Sequence, residues 1–125
     1  MKKGKTMKSS LILKSIDPAF SVKDLAAWCP TWPEEVFIYV ALEIGLSDKD
    51  GINLFYVTIA TPEGLKMNKG NKNSLPKKLF IIDQYNYNEL LGKLNQCIAS
   101  CNRDTWEDSC TALCKYFEWE YGDYK

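Results

Sequence analysis

The chain has 125 residues, which is enough for one domain with a buried core, and its ordinary balance of charged and apolar residues does not indicate disorder. Its 16 basic residues balance 16 acidic ones, and a net charge of zero argues against generic nucleic-acid binding, which requires a basic surface. Histidine is absent, which removes the commonest general base, most catalytic triads and most catalytic zinc sites.

The start of the chain is basic, like the start of a signal peptide, but we expect no targeting segment there. Residues 1–9 are basic and polar, and we expect them to form a flexible terminus ahead of a single domain that spans residues 10–125. The apolar run at positions 11–13 stops at Lys14, so it is far shorter than the ~7–15 apolar residues of a secretory signal. No stretch approaches the ~20 apolar residues of a membrane span. We therefore expect a cytoplasmic protein with no membrane partner, in which the five cysteines are reduced thiols.

The first third of the chain is predicted to contain one strand and one short helix. Alternating apolar residues predict a strand at residues 10–16, and Asp17-Pro18 ends it because proline cannot continue a ladder of hydrogen bonds. Residues 22–28 match a short helix with Ser21 as its N-cap. The proline-rich loop that follows carries Trp32, which either packs on the sheet edge or anchors an interface.

A β-hairpin is predicted at the centre of the sheet. Residues 35–46 alternate as a strand, residues 47–51 form a polar turn, and residues 52–60 form the antiparallel partner. The alternation divides the side chains between two faces: Val36, Ile38, Val40 and Leu42 oppose Phe37, Tyr39, Ala41 and Glu43, and Phe55, Val57 and Ile59 oppose Leu54, Tyr56, Thr58 and Ala60.

Helical and loop signals follow the hairpin. Thr61 and Pro62 start a helical turn as N-cap and first helical residue. Residues 66–78 form a basic loop with five lysines, and residues 79–82 form a short buried strand. A helix is predicted over residues 88–101, with Asn86 or Asn88 near its cap.

The last quarter combines a helix with a segment of period two. Asp104 or Thr105 can cap the helix, whose apolar face is formed by Trp106, Cys110, Leu113, Cys114 and Phe117. From Phe117 onward, Phe117, Trp119 and Tyr121 alternate with Glu118, Glu120 and Gly122, as on a strand with one wet face, although residues 116–121 could instead extend the helix. Together the elements predict an α+β domain: an antiparallel sheet of four to five strands with two C-terminal helices packed on one face.

Two cysteine pairs provide the sharpest chemical hypothesis. Cys97 and Cys101 lie four residues apart on one helix, as do Cys110 and Cys114 on the next, so the two pairs could build a small structural zinc-binding module. The competing interpretation is stronger, because structural zinc sites usually use Cys-x-x-Cys spacing and all four thiols fall on apolar stripes, where free cysteine acts as a small hydrophobe. We expect no metal and no cofactor.

The acidic residues are concentrated toward the C-terminus. Residues 1–80 carry twelve lysines against eight acidic residues, whereas residues 81–125 carry four basic against eight acidic residues. Glu118, Glu120 and Asp123 form a row that is either an ordinary solvated face or an acidic patch for a basic partner. Without histidine or a phosphate-binding glycine loop, these carboxylates are not expected to be catalytic, and no enzymatic activity is predicted.

Segments in collinear order from about residue 11 to residue 124 resemble the immunity protein 8 family, one of the small antidote families of bacterial polymorphic-toxin and contact-dependent growth inhibition systems. The most specific matches are Asp104-Thr105-Trp106-Glu107 and Trp119-Glu120-Tyr121-Gly122-Asp123-Tyr124, and weaker matches lie at residues 13–17, 44–45, 50–62 and 79–85. The chain departs from the family pattern at Gly64, where the family has a tryptophan, and at Leu46, where it often has a proline.

The resemblance implies a cytoplasmic, non-enzymatic protein that binds and neutralises a cognate toxin domain encoded next to it. Many such toxins are nucleases with basic clefts, which an acidic patch on the inhibitor can fill, so no direct contact with nucleic acid is expected. The family pattern assigns no binding residues. From the residues themselves, we expect the toxin to contact the acidic C-terminal segment and nearby aromatic side chains: Glu118, Glu120, Asp123, Tyr121, Tyr124 and Trp32.

Overall fold

The computed structural model describes residues 10–18, 23–68 and 77–121. In chain order the elements are β1 (Leu11–Pro18), β2 (Phe37–Leu46), β3 (Asn53–Ala60), α1 (Pro62–Asn68), β4 (Leu79–Ile81), α2 (Tyr87–Ser100), α3 (Trp106–Leu113) and β5 (Glu118–Trp119). The predicted α+β class is confirmed. The predicted terminus at residues 1–9, and most of the predicted basic loop, lie outside the described residues.

The sheet is mixed, whereas the sequence predicted an antiparallel one. Strands β1, β2, β3 and β4 lie side by side in that order, and the first three are antiparallel to their neighbours. Strand β4 runs parallel to the last three residues of β3, with Phe80 opposite Ile59. Strand β5 pairs with the first half of β3, antiparallel and on the same side as β4.

One face of the sheet carries the core. Buried side chains from β2 and β3 meet the buried stripes of α2 and α3, so the two C-terminal helices lie against one face, as predicted. The largest fully buried side chains of this core are Phe55, Phe117, Leu25, Leu42, Ile44, Ile59, Leu90, Leu94, Ile98 and Leu113. At about 1.5–3 kcal/mol for each large apolar side chain removed from water, this layer supplies most of the driving force for folding.

A bulge in β1 keeps its apolar side chains on the core face. The register with β2 shifts between Leu13, which lies opposite Ile44, and Ser15, which lies opposite Glu43. The extra residue is Lys14, whose ammonium group donates hydrogen bonds to the carbonyls of Lys49 and Gly51 in the hairpin turn. The Lys14 side chain at the bulge therefore connects the edge strand to the hairpin turn by hydrogen bonds.

The three helices begin where side-chain caps are available. Asn86 accepts from the backbone N–H of Glu89, and Thr105 accepts from that of Asp108, which fixes the starts of α2 and α3. Thr61 is wholly buried, and its Oγ1 accepts from the backbone N–H groups of Val36 and Gly64. The capping residues predicted for α1 and α3 are confirmed, and Asn86 is the cap of α2.

The short helix predicted at residues 22–28 is not formed in its described part. Residues 25–27 form a turn, in which the Asp24 carboxylate accepts from the backbone N–H of Ala26 and the Asp24 carbonyl accepts from that of Ala27. An aspartate side chain that bonds its own backbone two residues on favours a turn over a helix. The predicted cap Ser21 lies outside the described residues.

Candidate functional site

The face of the sheet opposite the core, called here the outer face, is rich in aromatic side chains. Phe37 and Tyr39 project onto it from β2, and Leu54 and Tyr56 project onto it from β3, as the alternation predicted. Tyr39 and Tyr56 are diagonal neighbours in the register, and their rings stack with centroids 5.8 Å apart and planes inclined by 8°. This stack lies near the middle of the outer face.

Several apolar side chains of the outer face remain exposed to solvent. Tyr39 is 36% exposed, and on β4 Leu79 and Ile81 are 38% and 46% exposed. Ile12 on β1 is also exposed, but it lies opposite Gly45, about 20 Å along β2 from Tyr39. Thr58 and Ala60 are buried at the end of β3 that leads into α1. Exposed apolar side chains that share one sheet face with polar groups are typical of a site for a protein partner.

Glu118, one of the residues predicted to bind a partner, connects three strands of the sheet. Its Oε1 accepts from the hydroxyl of Tyr39 at 3.4 Å, and its Oε2 lies 3.4 Å from Nζ of Lys77. Its backbone pairs with Tyr56 of β3. Partial burial raises the pKa of Tyr39, and the negative charge of Glu118 raises it further. The Tyr39 hydroxyl therefore stays protonated throughout the physiological pH range, and it can donate its hydrogen bond to the Glu118 carboxylate.

Glu120 and the aromatic residues beside it close the edge of β3. The Leu54 N–H donates to Oε2 of Glu120, and the Leu54 carbonyl accepts from the Glu120 N–H. Trp119 stacks on Phe55 with centroids 6.0 Å apart, and its indole N–H donates to the side chain of Asn53. Tyr121 meets Trp119 edge to face at 5.6 Å and is 48% exposed. The period-two interpretation of this segment is therefore confirmed, although the strand is only two residues long.

The structure does not bring all the predicted contact residues together. Trp32 is 60% exposed and precedes β2, whose first residue pairs with Ala60. Glu118 pairs with Tyr56, about 13 Å further along the same strand. Asp123 and Tyr124 lie outside the described residues. Sequence reasoning missed Tyr39 and Tyr56 as site residues, although the alternation had already placed them on one face.

The five cysteines do not form the predicted alternative, a zinc site. Within the described residues, which include every cysteine, no three potential metal-binding side chains come together. Burial raises the pKa of Cys97 to about 11 and that of Cys110 to about 12, with a smaller contribution from the neighbouring Cys101 and Cys114. These two thiols are therefore protonated at neutral pH.

These features define a small α+β protein whose most distinctive surface, the outer face, is suited to a protein partner. The Immunity protein 8 family matches residues 11–124, nearly the whole chain, and the chain belongs to this family. Comparisons with curated proteins and with solved structures give no significant match. Among the described residues, no helix is both long and apolar enough to cross a membrane.

Gly64, where the chain departs from the family pattern, lies in close contact with the backbone of Val36. A Cβ atom added to Gly64 would lie 2.0 Å from the carbonyl oxygen of Val36, so no side chain fits there unless the backbone moves. A tryptophan at this position requires α1 to stand further from the start of β2. Glycine instead allows the close approach in which the Thr61 N–H donates to the Val36 carbonyl and the Val36 N–H donates to Oγ1 of Thr61.

Proposed function

We propose that this protein is a bacterial immunity protein that binds and neutralises a cognate toxin domain in the cytoplasm, and so protects the producing cell and its siblings. The observation that carries the proposal is the match of residues 11–124 to the Immunity protein 8 family. The toxin is encoded beside this gene as part of a polymorphic-toxin or contact-dependent growth inhibition system. It acts within cells, and a nuclease is the activity that an acidic inhibitor suits best.

Neutralisation by this protein requires binding alone. The acidic C-terminal segment covers the active site or the substrate-binding surface of the toxin, and its carboxylates occupy positions that substrate phosphates would take. The residues proposed for this contact are Glu118, Glu120, Asp123, Tyr121, Tyr124 and Trp32. The exposure of Trp32 and Tyr121 supports their inclusion, because exposed aromatic side chains are common anchors of interfaces.

The domain that binds the toxin spans residues 10–125 and acts as one unit, without enzymatic activity of its own. The single sheet and its helices support this organisation, because the last described strand pairs with the central strand β3. Removal of the C-terminal segment would expose that edge of β3 and is expected to abolish protection.

Co-expression tests the proposal directly. The toxin domain encoded beside this gene is induced in a susceptible host, with or without this protein, and growth is measured. Affinity purification of the tagged protein then shows whether the toxin is retained with it. Restored growth and a purified one-to-one complex are expected. A protein truncated before β5 serves as the control for expression load. Continued toxicity, with no complex between the purified proteins, would contradict the proposal.

A further inference from the structure

We infer that the outer face around Tyr39 and Tyr56 is the centre of the toxin-binding surface, and that the toxin presents a basic surface to it. This inference rests on the proposed function and extends it. It places the centre of the contact on β2 and β3, so the C-terminal segment forms one margin of the interface and the edge strand β1 forms the other.

The apolar centre of this surface is the tyrosine stack with its neighbours. Tyr39 and Tyr56 are held parallel at 5.8 Å, so their rings are ordered before any partner binds. Tyrosine has few rotatable bonds, and an ordered ring offers a large contact area at a low cost in conformational entropy. Leu79 and Ile81 on β4 extend the exposed apolar surface beside the stack. Aromatic anchors of this kind dominate the binding energy of protein interfaces.

The register of the strands places carboxylates around the tyrosine stack. Asp17 lies opposite Ala41, Ala41 lies opposite Tyr56, and Tyr56 lies opposite Glu118. At about 4.8 Å between strands, the backbones of Asp17 and Glu118 lie about 10 Å and about 5 Å from that of Tyr56, on opposite sides of it. Glu43 is the next outer-face position along β2, so carboxylates border the stack on several sides.

Some carboxylates near the stack already have an ion pair or a hydrogen-bond donor within the protein, and others have fewer such partners. Glu118 pairs with Lys77, and Glu120 accepts from the backbone of Leu54. The ammonium group of Lys14 donates to the carbonyls of the hairpin turn. Asp17 accepts only from the Ser15 hydroxyl, at 3.4 Å, among the described residues, and in the same part of the chain Glu43 has neither a hydrogen bond nor an ion pair. Within residues 10–18, 23–68 and 77–121, these two charges are therefore available to a basic partner.

Purified components distinguish this surface from the rest of the molecule. The probe is the toxin domain encoded beside this gene, inactivated by mutation, and its affinity and association rate are measured by surface plasmon resonance. Tyr39→Ala is expected to weaken binding about 10-fold or more, whereas Tyr39→Phe, which keeps the ring, stays within about threefold of the wild type. Glu43→Lys and Asp17→Lys are each expected to slow association about 10-fold at low salt. Glu89→Lys, an equal charge change in the first turn of α2 beside the core face, is the matched control.

Each outcome has a defined meaning once unfolding curves show that the variants are folded. Wild-type binding that survives Tyr39→Ala and Glu43→Lys unchanged would overturn the inference and leave the proposed function standing. A wild-type protein that fails to bind the toxin domain contradicts the proposed function, and with it the inference. Sedimentation velocity tests whether a second copy of this protein, and not the toxin, occupies the outer face. A dimer that Tyr39→Ala dissociates would show that it does, and this result would also overturn the inference.

Discussion

The hydroxyl of Tyr39 donates to the carboxylate of Glu118 at 3.4 Å, and this hydrogen bond crosses β3 to join two residues 79 positions apart in the chain. Tyr39 belongs to the central hairpin and Glu118 to the last strand. The bond therefore links the C-terminal segment to the central hairpin across the outer face. It is made by the same Tyr39 side chain whose ring stacks on Tyr56.

Removal of the Tyr39 hydroxyl distinguishes the contribution of this hydrogen bond to stability from that of the ring stack. Tyr39→Phe keeps the aromatic contact and loses the long, solvent-exposed hydrogen bond to Glu118. The free energy of unfolding is expected to fall by about 0.5–1 kcal/mol. Urea denaturation measures the change, with Tyr116→Phe, an exposed tyrosine outside the sheet, as the control. A loss above about 2 kcal/mol would mean that the hydroxyl has a further buried role.

Charge reversal of the acidic row tests the contact proposed from the sequence. The triple variant Glu118→Lys, Glu120→Lys and Asp123→Lys is expected to slow association with the toxin and to weaken protection. The effect should be larger at low salt, because exposed charges are screened within about 10 Å at ~0.1 M salt. Association rates at two salt concentrations measure it. Unchanged protection and affinity in the folded variant would place the interface elsewhere.

Thr61 is expected to be a large contributor to stability. Its buried Oγ1 accepts from Val36 N at 2.9 Å and from Gly64 N at 3.0 Å, so Thr61→Val leaves two buried N–H groups without acceptors. The free energy of unfolding should fall by about 2–4 kcal/mol in urea denaturation. Thr61→Ser keeps the hydroxyl and should lose less than half as much. Equal losses for the two variants would show that the methyl group, and not the hydroxyl, matters.

A pair of glycine substitutions should change stability in opposite directions. Gly64→Ala is expected to destabilise the protein by about 1–3 kcal/mol or more, because its Cβ would lie 2.0 Å from the carbonyl of Val36. Gly92 lies within α2, where an added Cβ meets nothing within 4 Å, so Gly92→Ala should stabilise by about 0.5–1 kcal/mol. Thermal unfolding of both variants provides the comparison. A stable Gly64→Ala variant would argue against the close packing of α1 on the start of β2.

Alkaline pH should destabilise the protein through its buried thiols. The pKa of Cys110 is raised to about 12 in the folded state, while the unfolded thiol titrates near 9. The unfolded state therefore loses this proton first as the pH rises, so the contribution of this thiol to stability is constant below about pH 8.5 and declines between about pH 9 and pH 12. Urea midpoints from pH 7 to pH 10.5 measure the decline, which Cys110→Ala should reduce. An unchanged slope in that variant would assign the decline to other groups, such as Tyr85, whose burial raises its pKa to about 12.

The features that could be predicted from the sequence are those encoded within a few residues. Thr61 and Thr105 are followed three residues later by the N–H groups that they cap, and alternation along the hairpin assigned Tyr39 and Tyr56 to the correct face. The direction of β4 could not be predicted, because three apolar residues carry no information on which end of β3 the chain returns to. The turn at Asp24 depends on its side chain competing with helical hydrogen bonds, and apolar periodicity does not report that competition.

The candidate site was harder to predict, because it is assembled by contacts that are distant in the chain. The diagonal Tyr39–Tyr56 stack requires the register in which Ala41 lies opposite Tyr56. A shift of two residues would keep the faces but would place the rings directly opposite each other or separate them, depending on its direction. The contacts of Glu118 with Tyr39 and Lys77 depend on where β5 docks. The acidic row was recognised in the sequence, but its position beside the stack was not.

The outer edge of β3 is shared by β4 and β5, and this arrangement sets an order on folding during synthesis. Strands β1 to β3 can pair as soon as they leave the ribosome, whereas the partner of Leu54 on the other edge is Glu120, 66 residues later. Contacts of such high sequence separation form late, because the intervening chain must first be closed into a loop. A nascent chain that stops short of β5 leaves an unpaired edge on its central strand, which is a template for aggregation. Formation of the complete sheet therefore depends on the synthesis of β5.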